Sequence, residues 1–106
     1  MPFVDLSQLP EREPVPGYRG RFVHTDQVTI AHWRIAAGHA IPVHRHPHEQ
    51  IVNVIEGEFE LTLDGESRVM GPGAVAVVPS NVPHGGQSVT DCRIIDVFHP
   101  VREDYR

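Results

Sequence analysis

Gly38-His39-Ala40-Ile41-Pro42-Val43-His44-Arg45-His46-Pro47-His48-Glu49-Gln50-Ile51-Val52-Asn53-Val54-Ile55-Glu56-Gly57 is the stretch on which the reading of this chain turns. A glycine opens it, two histidines one residue apart stand in its middle, and a β-branched run from Gln50 to Ile55 closes on Glu56-Gly57. Such runs favour a pleated, half-buried surface, and the glycines punctuate it. His44, His46 and Gln50 share sequence parity, so one extended strand would carry all three to one face. A further histidine, His84, stands in Asn81-Val82-Pro83-His84-Gly85-Gly86, turn-forming residues just after the apolar run Ala74 to Val78. Two neighbouring strands would then gather the four groups around one metal ion.

The flanking sequence continues the strand pattern. Phe59, Leu61 and Leu63 alternate with Glu58, Glu60 and Thr62, a strand with one wet face. Asp64-Gly65 is a hairpin turn signal, with Arg68 to Met70 as the return strand. Gly71-Pro72-Gly73 turns the chain into Ala74–Val78, and Val89 to Phe98 reads as a final strand. On the N-terminal side, Gln27 to Ile35 alternates, with Val28, Ile30, His32 and Arg34 opposite Thr29, Ala31, Trp33 and Ile35. No helix longer than the stretch Glu103 to Arg106 emerges. Six or more short strands, divided by Gly and Pro, give an all-β sandwich or barrel. Residues 1–20, with Pro2, Pro10, Pro14 and Pro16, read as an extended arm, flexible or laid on a partner subunit. Residues 21–106 form the domain.

Composition narrows the classes of function. A chain of 106 residues with 40% apolar content makes one domain, burying about 65% of its unfolded surface. The formal charge of −5 argues against nucleic acid. All nine cationic residues are arginine, so Schiff-base chemistry is excluded. An anionic ligand must be held by arginine, backbone N–H groups or metal. The single cysteine, Cys92, has no internal disulfide partner. The N-terminus lacks the apolar run of a signal peptide, and no stretch is long enough to cross a bilayer. The expectation is a soluble cytoplasmic protein.

Neutral imidazoles and an amide oxygen suit one divalent ion, with Zn²⁺, Ni²⁺, Fe²⁺ and Mn²⁺ equally served. The segment holds its own ambiguity. His48 has the parity of His44 and His46, Glu49 is a better anionic ligand than Gln50, and Pro47 disturbs strict alternation. His24, His32, His39 and His99 have no partner at ligand spacing. On the last strand Cys92, Ile94, Asp96 and Phe98 share a face. An aspartate on an apolar face is costly unless paired. It is either salt-bridged to an arginine such as Arg34 or Arg102, hydrated at a barrel end, or a general acid/base.

Gly38-x5-His44-x-His46-x3-Gln50-x6-Gly57 resembles the first cupin motif, and Gly73-x5-Pro79-x-Asn81-x2-His84 resembles the second. The resemblance implies a double-stranded β-helix, or jelly-roll barrel, with His44, His46, Gln50 and His84 as metal ligands. Gln50 stands where cupins usually carry glutamate, and Asn81 where the second motif usually carries glycine. A neutral Gln leaves the ion's double charge uncompensated, favouring Lewis-acid work over stabilising an oxidised metal.

Within the cupins, Pro47-His48-Glu49-Gln50, Glu56-Gly57-Glu58-Phe59-Glu60, Asn81-Val82-Pro83-His84 and the ending from Asp91 to Tyr105 are similar to the KdgF-like group. That group acts in pectin and alginate breakdown, converting 4,5-unsaturated uronates to the linear keto form. The ending Asp96-x-Phe98-x3-Arg102 is what separates it from cupins at large. The resemblance implies Asp96 as the catalytic group and Phe98 and Arg102 as substrate contacts. It further implies a small anionic sugar as partner and a homodimer. The competing expectations are a non-haem iron dioxygenase and a sugar-binding cupin without turnover. For Arg102 the alternative is a solvated place in the charged tail Val101 to Arg106.

Overall fold

The computed structural model describes residues 3–106. Ten strands follow one another: β1 (Arg12–Val15), β2 (Tyr18–His24), β3 (Thr29–Ile35), β4 (Ala40–His44), β5 (Glu49–Glu56), β6 (Phe59–Leu63), β7 (Glu66–Met70), β8 (Val75–Val78), β9 (His84–Ser88) and β10 (Cys92–His99). Single 3-10 turns at Leu6–Gln8 and Glu103–Tyr105 flank them. The strands make two antiparallel sheets, ordered β1-β2-β3-β10-β5-β8 and β4-β9-β6-β7. Their inner faces enclose the core, giving the all-β cupin barrel that the motifs imply.

The period-2 pattern explains which residues face inward. On β10, Cys92, Ile94, Asp96 and Phe98 are buried while Arg93 and His99 are exposed. β3 buries Thr29, Ala31, Trp33 and Ile35, and β5 buries Gln50, Val52 and Val54. Together with Tyr18, Phe22, Phe59, Leu61, Met70 and Val78 these apolar side chains form one core. No described helix is long and apolar enough to cross a membrane.

Three expectations change. The division at residue 20 falls inside β2, and residues 12–24 belong to the first sheet. β1 pairs with β2, with Val15 opposite Tyr18, and β2 pairs with β3 along its whole length. Tyr18 and Phe22 anchor this segment because their rings are core residues, which the proline count obscured. Next, residues 84–88 form β9 in the middle of the second sheet; two glycines hid a strand that packs closely on β4 and β6. Finally, His44, His46 and Gln50 do not share a strand. His44 ends β4 and Gln50 lies in β5, in the other sheet, with the chain bending through residues 45–48.

The hairpin at Asp64-Gly65 is as expected. Both residues have positive φ, 49° and 82°, and Leu63 faces Glu66 across the turn, the geometry whose twist matches a two-residue hairpin. Gly57 also has φ of 82°, but a Cβ there would sit 2.0 Å from the Asp91 carbonyl oxygen, whereas one at Gly65 meets nothing within 4 Å. Gly65→Ala should therefore cost only the left-handed strain, about 1–2 kcal/mol. Gly57→Ala should cost clearly more, because backbone must move as well. Urea unfolding of the two variants checks the order; equal midpoints would show that the 57–91 contact is not a constraint.

Candidate metal centre and its cavity

One end of the barrel brings together residues that the sequence scatters. His44, at the end of β4, is register partner to His84, the first residue of β9. Gln50 near the start of β5 faces Phe98 on β10, and Asp96 faces Val52 two positions deeper. His46 reaches the same place from the bend. Candidate ligand atoms of His44, His46 and His84 all lie within 4.8 Å of one another. The Gln50 Oε1 is 3.2 Å from His46 Nε2.

Each ring is oriented from behind in the same way. His44 Nδ1 lies 2.8 Å from the Pro42 carbonyl, His46 Nδ1 3.0 Å from that of His48, and His84 Nδ1 2.9 Å from that of Val82. A carbonyl only accepts, so Nδ1 of each ring carries the proton and donates it. Every Nε2 is then left with a lone pair, which is the tautomer a metal ligand requires. His84 Nε2 is buried without a hydrogen-bond partner. His46 Nε2 faces an amide oxygen, lone pair toward lone pair. A cation between these atoms resolves both, so the residues fit a divalent ion. Burial pushes the His46 imidazole down to about 4, aided by Arg102 and His84 beside it, and burial also lowers His84. Both are neutral at neutral pH.

The two other candidates in the segment lie differently. Glu49 is exposed on the outer face of β5 while Gln50 is buried. His48 turns its carbonyl to His46 and stands outside the three-histidine cluster. His24 faces away from the cluster, bonding Thr29 Oγ1 at 2.8 Å and the Tyr105 carbonyl at 3.1 Å.

A cavity of about 70 Å³ opens beside the cluster, walled by Trp33, Gln50, Asp96, Phe98, Arg102 and Tyr105 as well as the histidines. Asp96 is buried, and its Oδ2 accepts from the Trp33 indole N–H at 3.0 Å. Oδ1 has no hydrogen-bond partner. Burial pushes this carboxyl up to about 7, against the lowering pull of the Gln50 amide, the Trp33 N–H and the Arg102 cation. Of the arginines weighed as salt-bridge partners for Asp96, Arg34 lies on the outer face of β3. It pairs there with Glu11 at 3.0 Å. Arg102 is paired with Asp104, not Asp96, at 2.7 Å. Phe98 is 2% exposed, with its ring centroid 5.9 Å from that of His46.

Trp33 and Tyr105 are the wall residues that sequence reasoning missed. Trp33 stood on the inward parity of β3, but its neighbour on β10 follows from sheet order and not from any local signal. Tyr105 sat in a charged tail. Its ring stacks on Phe22 at 4.6 Å and meets Trp33 edge-on at 6.0 Å, so the tail folds back over the barrel mouth.

Known proteins agree with this geometry. The cupin domain family matches residues 31–98. The pectin degradation protein KdgF of Dickeya dadantii strain 3937 is 29% identical over 106 residues, covering 97% of this chain and 96% of its own. Among solved structures, an RmlC-like cupin from Shewanella frigidimarina NCIMB 400 superposes with a TM-score of 0.94 at 29% identity, covering 100% of this chain and 96% of that one. KdgF from Halomonas sp. superposes with a TM-score of 0.91 at 30% identity, over 98% of this chain and 97% of its own. With both motifs in place at one barrel end and the family match spanning the strands that carry them, this chain belongs to the cupins and is a homologue of the KdgF proteins.

Proposed function

We propose that this protein is an enzyme that opens 4,5-unsaturated uronate monosaccharides to their linear keto form, in the breakdown of acidic polysaccharides such as pectin. The observation that carries the reading is the cavity itself. It sets a three-histidine cluster, a buried aspartate with a free carboxylate oxygen and a nearly buried arginine around one small space. Similarity to KdgF proteins over almost the whole chain supports the substrate class.

Such a substrate carries a carboxylate and a ring enol ether between C4 and C5. Opening the hemiacetal breaks the C1–O5 bond, frees an aldehyde at C1 and leaves an enol at C5. The enol loses its hydroxyl proton and gains one at C4, so the net change is an isomerisation. His44, His46, Gln50 and His84 would hold one divalent ion, which when bound supplies Lewis-acid polarisation of substrate oxygens. Asp96 would move the proton through Oδ1, with Trp33 fixing Oδ2. Arg102 would meet the carboxylate, where a planar guanidinium gives paired contacts. Phe98 would lie against the sugar ring and keep water out.

A positioned proton-transfer group contributes roughly 10²–10⁴-fold. Asp96→Asn should lower turnover of unsaturated uronate monomer by that factor while metal content stays the same. The assay follows loss of the conjugated absorbance against the spontaneous rate. A variant with near-native rate would make Asp96 structural. Arg102→Ala should raise KM about tenfold or more, as loss of a charge-assisted pair does; an unchanged KM removes Arg102 from the site. Oxygen uptake coupled to turnover would favour the iron dioxygenase instead.

The metal assignment has its own check. Loss of a residue behind a ligand typically costs 10–100-fold in affinity, so loss of a ligand should cost about 100-fold or more. His84→Ala should show this loss when zinc is titrated against a chromophoric chelator, with circular dichroism confirming the sheet. Native zinc affinity in that variant would place the ion elsewhere.

A further inference from the structure

Arg102 exposes only 12% of its side chain, and a guanidinium so placed must have its N–H groups and charge answered by neighbours. Asp104 answers one edge, accepting from Nε at 3.0 Å and from Nη2 at 2.7 Å. Two aromatic rings lie against the guanidinium, Tyr105 with its centroid 4.3 Å from Cζ and Phe98 at 4.8 Å. This grip uses Nε and Nη2 and leaves the Nη1 end for another acceptor. Arg102 is in the cavity wall, whereas the Asp104 side chain is 58% exposed and is not. The carboxylate therefore stands on the solvent side of the arginine, with the cavity on the other.

The turn that carries these residues is itself anchored. The Arg102 backbone N–H donates to Thr29 Oγ1 at 2.8 Å. Thr29 is fully buried, and its hydroxyl lies 2.8 Å from His24 Nδ1. The Tyr105 carbonyl, 3.1 Å from His24 Nε2, only accepts, so Nε2 carries the proton of the neutral ring and the Thr29 hydroxyl donates to Nδ1. Arg12 Nη1 donates to the same carbonyl at 3.0 Å. The segment is tied to β1, β2 and β3 at both ends, and Tyr105 cannot leave without uncovering Phe22.

We propose that Asp104 and Tyr105 are positioning residues. They hold the Arg102 guanidinium with its free end toward the cavity, so that the site selects ligands carrying a carboxylate over neutral sugars of the same shape. The proposal rests on the uronate reading for its ligand class. It adds that selectivity resides in the turn Glu103–Tyr105 and not in the arginine alone.

The sign of one substitution separates positioning from simple electrostatics. Asp104→Asn removes a negative charge near an anion receptor, and Coulomb's law alone makes anion binding tighter. Loss of the bidentate grip makes it weaker, because the asparagine amide supplies one neutral acceptor where the carboxylate supplied two charged ones. The side chain is exposed, so the fold is not at risk.

Trp33 is the single tryptophan and lines the cavity, so its fluorescence reports binding of D-galacturonate and D-galactose. Native protein should prefer galacturonate. Asp104→Asn should weaken galacturonate about tenfold, the equivalent of one charged hydrogen bond, with galactose unchanged. Asp104→Glu should restore part of the preference. Tighter galacturonate binding by Asp104→Asn, equal losses for both sugars, or no acid preference in native protein would each overturn the proposal. Ring opening is scored separately. Absence of that activity with acid preference intact would remove the reaction and leave the clamp standing.

Discussion

Strand β10 is hydrogen-bonded on both edges, to β3 and to β5, and the register of that double pairing governs everything at the barrel end. It sets Asp96 between Ala31 and Val52, and Phe98 between Thr29 and Gln50. A strand pinned on both sides cannot slip, since a shift of one residue would turn Asp96 and Phe98 outward and put Ile95 and Val97 in the core. The pairing also carries the chain end to Thr29, from which the turn with Arg102 and Tyr105 hangs. The walls of the cavity meet because β5 supplies Gln50 to one and β10 supplies Asp96 to the other.

Most of the buried polar groups in this small barrel stand around the cavity. Of the residues buried in the described chain, Thr29, Gln50, His84, Ser88 and Asp96 are polar or charged. Ser88 closes a turn, bonding the Ala36 carbonyl at 2.6 Å. The other four stand at or behind the cavity, and two of them, His84 and Asp96, keep an unpartnered buried atom. Leaving a buried polar atom unpaired costs about 1–3 kcal/mol each. The cost falls at the cavity, where a bound cation or ligand would offset it. The three backbone carbonyls behind the histidines make the same point, because they fix each ring before any ligand arrives.

The charged tail shows how local composition misleads. Val101 to Arg106 reads as solvated because four of its six residues carry charge. Yet the Arg102 guanidinium lies against the rings of Phe98 and Tyr105, and such contacts contribute about 0.5–2 kcal/mol. Tyr105 supplies the missing apolar cover over Phe22 and Trp33. An arginine packed against aromatic rings and with its charge met by a neighbouring carboxylate is stable where a lone one is not.

The alternation of Thr29 to Ile35, of Phe59 to Leu63 and of Cys92 to Phe98 determined the strands and their inward faces, because period 2 is a local property of extended backbone. Asp64-Gly65 determined its hairpin because only that turn accommodates two positive φ values. The motif spacing of His44, His46, Gln50 and His84 determined the barrel family. Sequence could not decide that the ligand segment bends between two sheets, since parity assumes one straight strand and Pro47 lies within the break. Nor could it place Trp33 on Asp96, Tyr105 on Phe22 or Asp104 on Arg102. The first two contacts join residues far apart in the chain and depend on which strands neighbour each other. The third depends on a turn held by Thr29. Those are facts of sheet order and register, and only the tertiary structure decides them.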